Sequence, residues 1–249
     1  VIPRILAFHG TGNLGDLMQT VALSRLIGRA RAVFRDQPGM DPERKGTLVA
    51  SGFLLAPLRE PPDDIVLCGI RYPCWHPPYR SWIASARKTI GARDPDMRQD
   101  LLTLGVPAVL TGCATLTLPR YHGPRRGVLH VDDPHPGLTH KIPHTLSFRE
   151  EWNLCLERLD LYRRAAVIHT TRLHVALPSI AMGTPVVYKG PMDARTSILK
   201  YLGIRPGRPS LPDAALVSSL ALTFVNFLSE RGIRIVDDGD FVMPEAGIP

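Results

Sequence analysis

AVIHTTRLHVALPSIAMGTPVVY, Ala166–Tyr188, reads as strand, helix, strand. The apolar run Ala166, Val167 and Ile168 predicts a short buried strand. Thr170 or Thr171 then offers a side-chain oxygen able to cap a helix, which is expected to run to Met182 and stop at Gly183. The chain returns through Pro185 into a strand at Val186–Tyr188, and Pro178 is expected to kink the helix. Arg172 and His174 lie at the handover from strand to helix. Backbone N–H groups at a helix start attract an anion, and a guanidinium beside them can grip a phosphate or carboxylate at two points. An imidazole two residues on adds a proton carrier. An isolated R-x-H triplet is more often salt-bridged or structural, but this one sits at the carboxyl end of a strand, where open α/β sheets bind ligands.

Outward from that stretch the same rhythm continues. Strands are expected at Ile5–His9, Ala32–Arg35, Thr47–Ser51, Asp64–Cys68 and Val106–Leu110, with helices from Asp16 to Gly28 and from Asp94–Pro95 through Leu104. Pro119–Arg126, PRYHGPRR, is a turn-rich basic junction without apolar periodicity. It divides the chain into an N-terminal α/β domain, 1–122, and a C-terminal one, 123–249. The second half is expected to hold a strand at Gly127–Val131, a loop at Asp132–Thr145, and helices at Glu150–Arg164, Asp193–Leu202 and Pro212–Arg231. Two Rossmann-like α/β domains facing a central cleft, with ligands at the strand ends of both, form the expected architecture.

With 249 residues and 44% hydrophobic content the chain can fill a substantial core. Thirty Lys and Arg against 23 Asp and Glu give a net charge of +7, which favours anionic partners. Basic residues are dispersed and aromatics make up only 6%, so nucleic acid is not expected; phosphorylated metabolites or an anionic membrane face account for the charge. Cys68, Cys74, Cys113 and Cys155 form no C-x-x-C pair, and no signal peptide precedes the first strand, which points to a reducing cytoplasm. Leu216–Leu228 is too short and too polar for a bilayer span of about 20 residues and reads as an amphipathic helix.

The loop HGTGNLGD, His9–Asp16, contains a literal G-x-G-x-x-G, with Asp36 placed where a dinucleotide fold would hold ribose. Asp16, however, sets a carboxylate against an incoming pyrophosphate. The expected role is a loop whose glycines allow close approach while Asn13 and Asp16 hydrogen-bond a ligand or a facing loop. A purely structural turn is the alternative.

Taken in order, these elements resemble the polysaccharide pyruvyl transferase family. Gly12-Asn13-Leu14-Gly15-Asp16 resembles its G-N-x-G-D, and Ser51-Gly52 and Cys68-Gly69 fall where it has glycine-containing strand ends. Ala92-Arg93-Asp94 resembles its A-R-D/G element, Thr111-Gly112-Cys113 its T/Y-G-D-P turn, and Thr171-Arg172-Leu173-His174 with Gly183-Thr184-Pro185 its S/T-R-L-H…G-x-P signature. The likeness spans about residues 5–190. It implies a fold like that of the GT-B glycosyltransferases and transfer of a pyruvyl group from phosphoenolpyruvate to two hydroxyls of a glycan or lipid-linked sugar. The site residues it implies are His174 and Asp16 as catalytic groups, with Arg93, Arg172, Leu173, Thr171, Asn13 and Gly15 binding substrate. No metal or cofactor is expected, since one acid/base group and fixed cations suffice for the chemistry. Donor phosphate would raise the pKa of His174, and Arg172 would lower it. The chain departs from the family at Cys113, which replaces an aspartate, and at Val175, where Gly or Ala is usual.

Two readings compete with the transferase: a nucleotide-sugar glycosyltransferase on the same architecture, and a non-catalytic sugar- or phosphate-binding relative. Elsewhere, LHVDDPHPGLTHKIPH gathers His130, His135, His140 and His144 with Asp132 and Asp133 but matches no standard zinc spacing, so it is read as a cleft-lining or surface loop. Tyr72–Tyr79 is read as a rigid aromatic loop suited to a sugar face or to its own core.

Overall fold

The computed structural model describes residues 2–35, 45–54, 57–58, 60–72, 76–236 and 240–246. Cys74, and with it Pro73 and Trp75 of the aromatic loop, lies outside these residues, as does Asp36. The fold is mixed α/β. Strands β1 (Arg4–Ala7), β2 (Arg31–Phe34), β3 (Leu48–Phe53), β4 (Ile65–Arg71), β5 (Ile90–Ala92) and β6 (Ala108–Leu110) form a parallel sheet in the order β2-β1-β3-β4-β5-β6. Helix α1 (Leu14–Ile27) links β1 to β2, α2 (Pro77–Ala84) links β4 to β5, and α3 (Pro95–Thr103) links β5 to β6. The order reverses between β1 and β3, which opens a crevice at their carboxyl ends.

Period-two alternation puts Ile5, Ala7, Val49, Val66 and Cys68 into a core with α1, while Leu6, Leu48, Ala50 and Leu67 face a second core with α2 and α3; the alternation breaks at Gly69, φ 65°, so Ile70 also joins the second core. A parallel sheet of this kind is buried on both faces.

The second half supplies β7 (Val128–Val131), α4 (Phe148–Arg164), β8 (Val167–Thr170), α5 (Leu173–Ala181) and β9 (Val186–Tyr188), then α6 (Ser197–Tyr201) and the two-residue β10 (Pro209–Ser210). The second sheet runs β10-β9-β8-β7, parallel except for β10. Val131, Ile168, Val186 and Tyr188 point into cores shared with α4 and α5. The opposite face carries Val128, 56% exposed, with His130 and His169, and none of these joins a core cluster.

Pro119–Arg126 does carry the chain from one sheet to the other, but the C-terminal segment does not stay with the second. Helix α7 (Ala214–Ser229) buries Phe224, Phe227 and Leu228 in the core that holds Ile5 and Val49, while its Val217 and Leu220 pack beside α5. Strand β11 (Glu245–Ala246) then adds to β2 in parallel. This amphipathic use of α7 matches its sequence, and among the described residues no helix is long and apolar enough to cross a membrane.

Several expectations shift. Helix α1 begins at Leu14 because Asn13 Oδ1 accepts the Gly15 N–H at 3.1 Å, and α4 begins at Phe148 behind a Ser147/Glu150 capping box. Residues 193–202 break into a 3-10 turn at Ala194–Thr196 and the short α6. The segment expected as an aromatic loop ends in α2, which takes Pro77 into its first turn, where a missing N–H costs nothing.

Candidate active site

A cleft of about 460 Å³ lies between the carboxyl ends of the two sheets. Arg35, Phe53 and Arg93 reach it from the ends of β2, β3 and β5, Asn13 from the cap of α1, and Gly15 and Asp16 from its first turn. Thr171, Arg172, Leu173 and His174 come from the β8–α5 link, and Tyr188, Pro191, Asp193, Arg195 and Thr196 from the end of β9 and the turn beyond. All eight residues singled out in the sequence therefore line one cavity. Four arginines against Asp16 and Asp193 make its wall cationic.

Arg172 is the N-cap of α5 and has no side-chain cap, contrary to expectation. Thr170 Oγ1 instead accepts the Arg172 N–H at 3.0 Å, and Thr171 Oγ1 donates to the Asp132 carbonyl at 2.7 Å. The N–H groups of Leu173 and His174, in the first turn, have no partner within the helix. Pro178 sits inside α5 and removes the N–H that would close on the His174 carbonyl.

Arg172 Nε donates to Asp132 Oδ2 at 2.8 Å, and Asp132 is a non-glycine residue at φ 46°, held there by Thr139 Oγ1 and the His140 N–H. Burial pushes the Asp132 carboxyl up, but these hydrogen bonds and Arg172 outweigh it and leave its pKa below the usual range. The carboxylate is thus a fixed rest for the guanidinium, which remains part exposed toward the cleft.

Arg93 is 1% exposed; Nη2 donates across to the Arg195 carbonyl at 2.8 Å, while Nε stands 3.6 Å from Asp94 Oδ2. Desolvation lowers its pKa and Asp94 partly restores it. Asp94 caps α3 through the Met97 N–H and accepts Arg71 Nη1 at 2.6 Å, so a buried ion cluster sets the Arg93 backbone.

His174 is 9% exposed, with Nδ1 3.8 Å from Asp16 Oδ1 and Nε2 buried without a hydrogen bond. Burial, then the charges of Arg93, His140 and Arg195, hold its pKa well below 6.5. Arg93, not Arg172, is the leading charge acting on it. The imidazole is neutral at pH 7 and can accept a proton at an atom that now has no partner.

The glycine turn is braced by the histidine loop. Leu14 N–H donates to the His140 carbonyl and Ile142 N–H to the Gly12 carbonyl, while His144 Nδ1 meets the Gly10 carbonyl. A Cβ on Gly15 would come within 2.9 Å of His174 Cβ, and one on Gly12, at φ 68°, within 2.6 Å of the His144 ring. Close approach is what these glycines supply.

Arg195 went unnoticed in the sequence, because it lies seven residues beyond the end of β9, in the 3-10 turn before α6, whereas Arg172 is only two residues beyond β8. Its guanidinium lies 5.4 Å from the Phe53 ring across the cleft. Cys113 lies outside the cleft: it is fully buried, accepts Thr115 Oγ1 at 3.2 Å, and its thiol pKa is raised by burial. His9 is paired with the buried Glu151 at 2.8 Å and does not line the cavity.

No protein-family model and no curated protein matches the chain. An uncharacterized protein of solved structure from Klebsiella pneumoniae is similar in fold at 14% identity, with a TM-score of 0.53 over 80% of this chain and 88% of that one.

Proposed function

We propose that the protein is a polysaccharide pyruvyl transferase with two Rossmann-like halves in a GT-B-like arrangement, acting in the cytoplasm at the inner membrane face. The observation that carries the reading is the meeting of Arg93, Arg172 and Arg195 with a buried, neutral His174 whose Nε2 has no partner. Phosphoenolpyruvate presents a phosphate and a carboxylate on one small carbon frame, which suits several cations converging on one pocket. A sugar hydroxyl adds to C2 while a proton passes to the CH₂ carbon. Phosphate leaves, a second hydroxyl attacks C2 and closes the ketal, and its proton goes to the departing phosphate or to His174. Neutral His174, with Asp16 behind Nδ1, takes the proton of the first hydroxyl and delivers it. The bound anion raises the histidine's pKa and so stabilises the protonated form when it is needed.

Calorimetry with phosphoenolpyruvate and single-turnover transfer to an acceptor glycan test the reading. Wild-type protein is expected to bind the donor, and Arg172→Ala to lose that binding, since it removes a charge-assisted contact worth about 2–5 kcal/mol where the bound anion excludes water from it. His174→Gln is expected to keep donor affinity within a few-fold and to cut kcat by about 10²–10⁴. Absence of donor binding by the wild type, or full turnover by the glutamine variant, refutes the assignment. Tighter stabilisation by UDP or GDP in a thermal-shift comparison would favour a nucleotide-sugar glycosyltransferase instead.

A further inference from the structure

The four histidines of residues 130–144 go to different places. His140 is buried against the Tyr162 hydroxyl and lines the cleft, and His144 turns to the Gly10 carbonyl. His130 lies on the outer face of the second sheet, where register pairs it with His169 of β8. Register partners in adjacent strands project from the same face, and the two rings stand 4.8 Å apart. The exposed His135 ring lies 5.1 Å from that of His130. Asp133, just after β7, holds its carboxylate 2.6 Å from His130 Nδ1.

One ligand atom each from His130, Asp133 and His169 falls within a 4.8 Å circle. A tetrahedral zinc with bonds of about 2.0–2.1 Å puts neighbouring donors about 3.4 Å apart, so side-chain rotations that move the donor atoms by roughly an ångström complete the site. The backbone already makes the harder provision, two imidazoles anchored on paired strands. His169 Nδ1 is buried with no hydrogen-bond partner, a lone pair or proton otherwise left unused. Lys189 Nζ stands 3.1 Å from both oxygens of Asp133 and offers a positive charge where a metal would bind, so the two compete for the carboxylate.

We propose that His130, Asp133 and His169 bind one divalent transition-metal ion of the zinc class, with His135 in reach as a fourth ligand. Two imidazoles and a carboxylate select zinc, cobalt or nickel over magnesium and calcium, which prefer all-oxygen shells. The ion would clamp the end of β7 to β8 one residue from Asp132, the carboxylate on which Arg172 rests. Spacing along the loop alone does not reveal such a site, because one ligand is contributed by a strand some forty residues later.

Titration of the full chain with Co²⁺, read by its visible absorption, and with Zn²⁺ by calorimetry tests the proposal. Saturable binding of one ion per chain is expected, weakened about tenfold or more in His130→Gln, His169→Gln and Asp133→Asn. Lys189→Met is expected to bind more tightly, since it removes the competing ammonium without touching a ligand. His122→Gln, an exposed histidine away from the cluster, is expected to bind as the wild type does. Circular dichroism confirms that each variant is folded, and the gain in Lys189→Met stands even where a ligand variant misfolds. No saturable binding by the wild type, or undiminished affinity in Asp133→Asn and His130→Gln, overturns the site.

Discussion

His140 shows what a single buried side chain costs at low pH. It is fully enclosed, with the Tyr162 hydroxyl on one ring nitrogen and the other unpaired, and burial first, then Arg172 and Arg158 against Asp132, brings its pKa down to about 3. The unfolded chain protonates this residue near pH 6.5 while the native state stays neutral. Between those values the unfolded state binds more protons, so stability falls as pH falls. Carboxylates with lowered pKa, such as Asp132 and Glu150, act only below their ordinary 3.8 and 4.5, which leaves the range above that to the histidines. His174 and His169, also lowered by burial, add in the same direction. His140 alone is expected to contribute about 2–3 kcal/mol of loss over roughly two pH units below 6.5. Urea midpoints across this range are expected to decline less steeply for His140→Gln than for the wild type, and parallel curves would show that His140 is not the titrating group.

At the scale of elements, the contact of α1 with α5 fixes the site. Gly15 in the first turn of α1 lies against His174 in the first turn of α5, and an added methyl would meet His174 Cβ at 2.9 Å and His140 Nδ1 at 3.2 Å. Gly15→Ala, at a position with ordinary helical backbone, is expected to cost about 1–3 kcal/mol by overpacking and to reduce catalysis beyond what the stability loss explains. Melting temperature and turnover measured together check this, and a fully active, equally stable variant would show that the helices have room to part. These helices were readable because most of their ends are punctuated: Asp94 caps, and Gly28 and Gly183 stop, whereas the Asn13 cap and the Ser147/Glu150 capping box, which set the true starts of α1 and α4, were not read. The placing of Arg93, Arg172 and His174 at a cleft was readable too, because each follows a strand and the expected arrangement turns the carboxyl ends of two sheets toward one another. What else escaped had no local signal. Strand β5 is three residues long, and its pairing with β6 is a tertiary fact. The partners of the histidine loop depend on register between β7 and β8, which the hydrophobic pattern cannot supply. Cys113, noted in the sequence only as a departure from the resembled family's aspartate, is turned into the interior by the fold.

For the molecule as a whole, the last helix joins what the sequence divides. Phe224 of α7 is fully buried among residues of the first sheet, in the same core as Val131, Trp152 and Ile168 of the second half. Phe224→Ala is expected to lose about 3–5 kcal/mol, and both halves are expected to melt in one transition in wild type and variant alike. Calorimetric and van't Hoff enthalpies that disagree, or two resolved transitions, would show separate units. The return of α7 and β11 to the first sheet has a consequence for what the protein accepts. Since one continuous apolar interior underlies both walls of the cleft, the gap between Arg93 and Arg172 is a property of the folded chain and not something a ligand must draw together. Such a gap works as a ruler. On the proposed reading, a donor of the right span would be held with little left to order beyond the side chains themselves, while a homologue longer or shorter by a carbon–carbon bond would meet a cation in the wrong place.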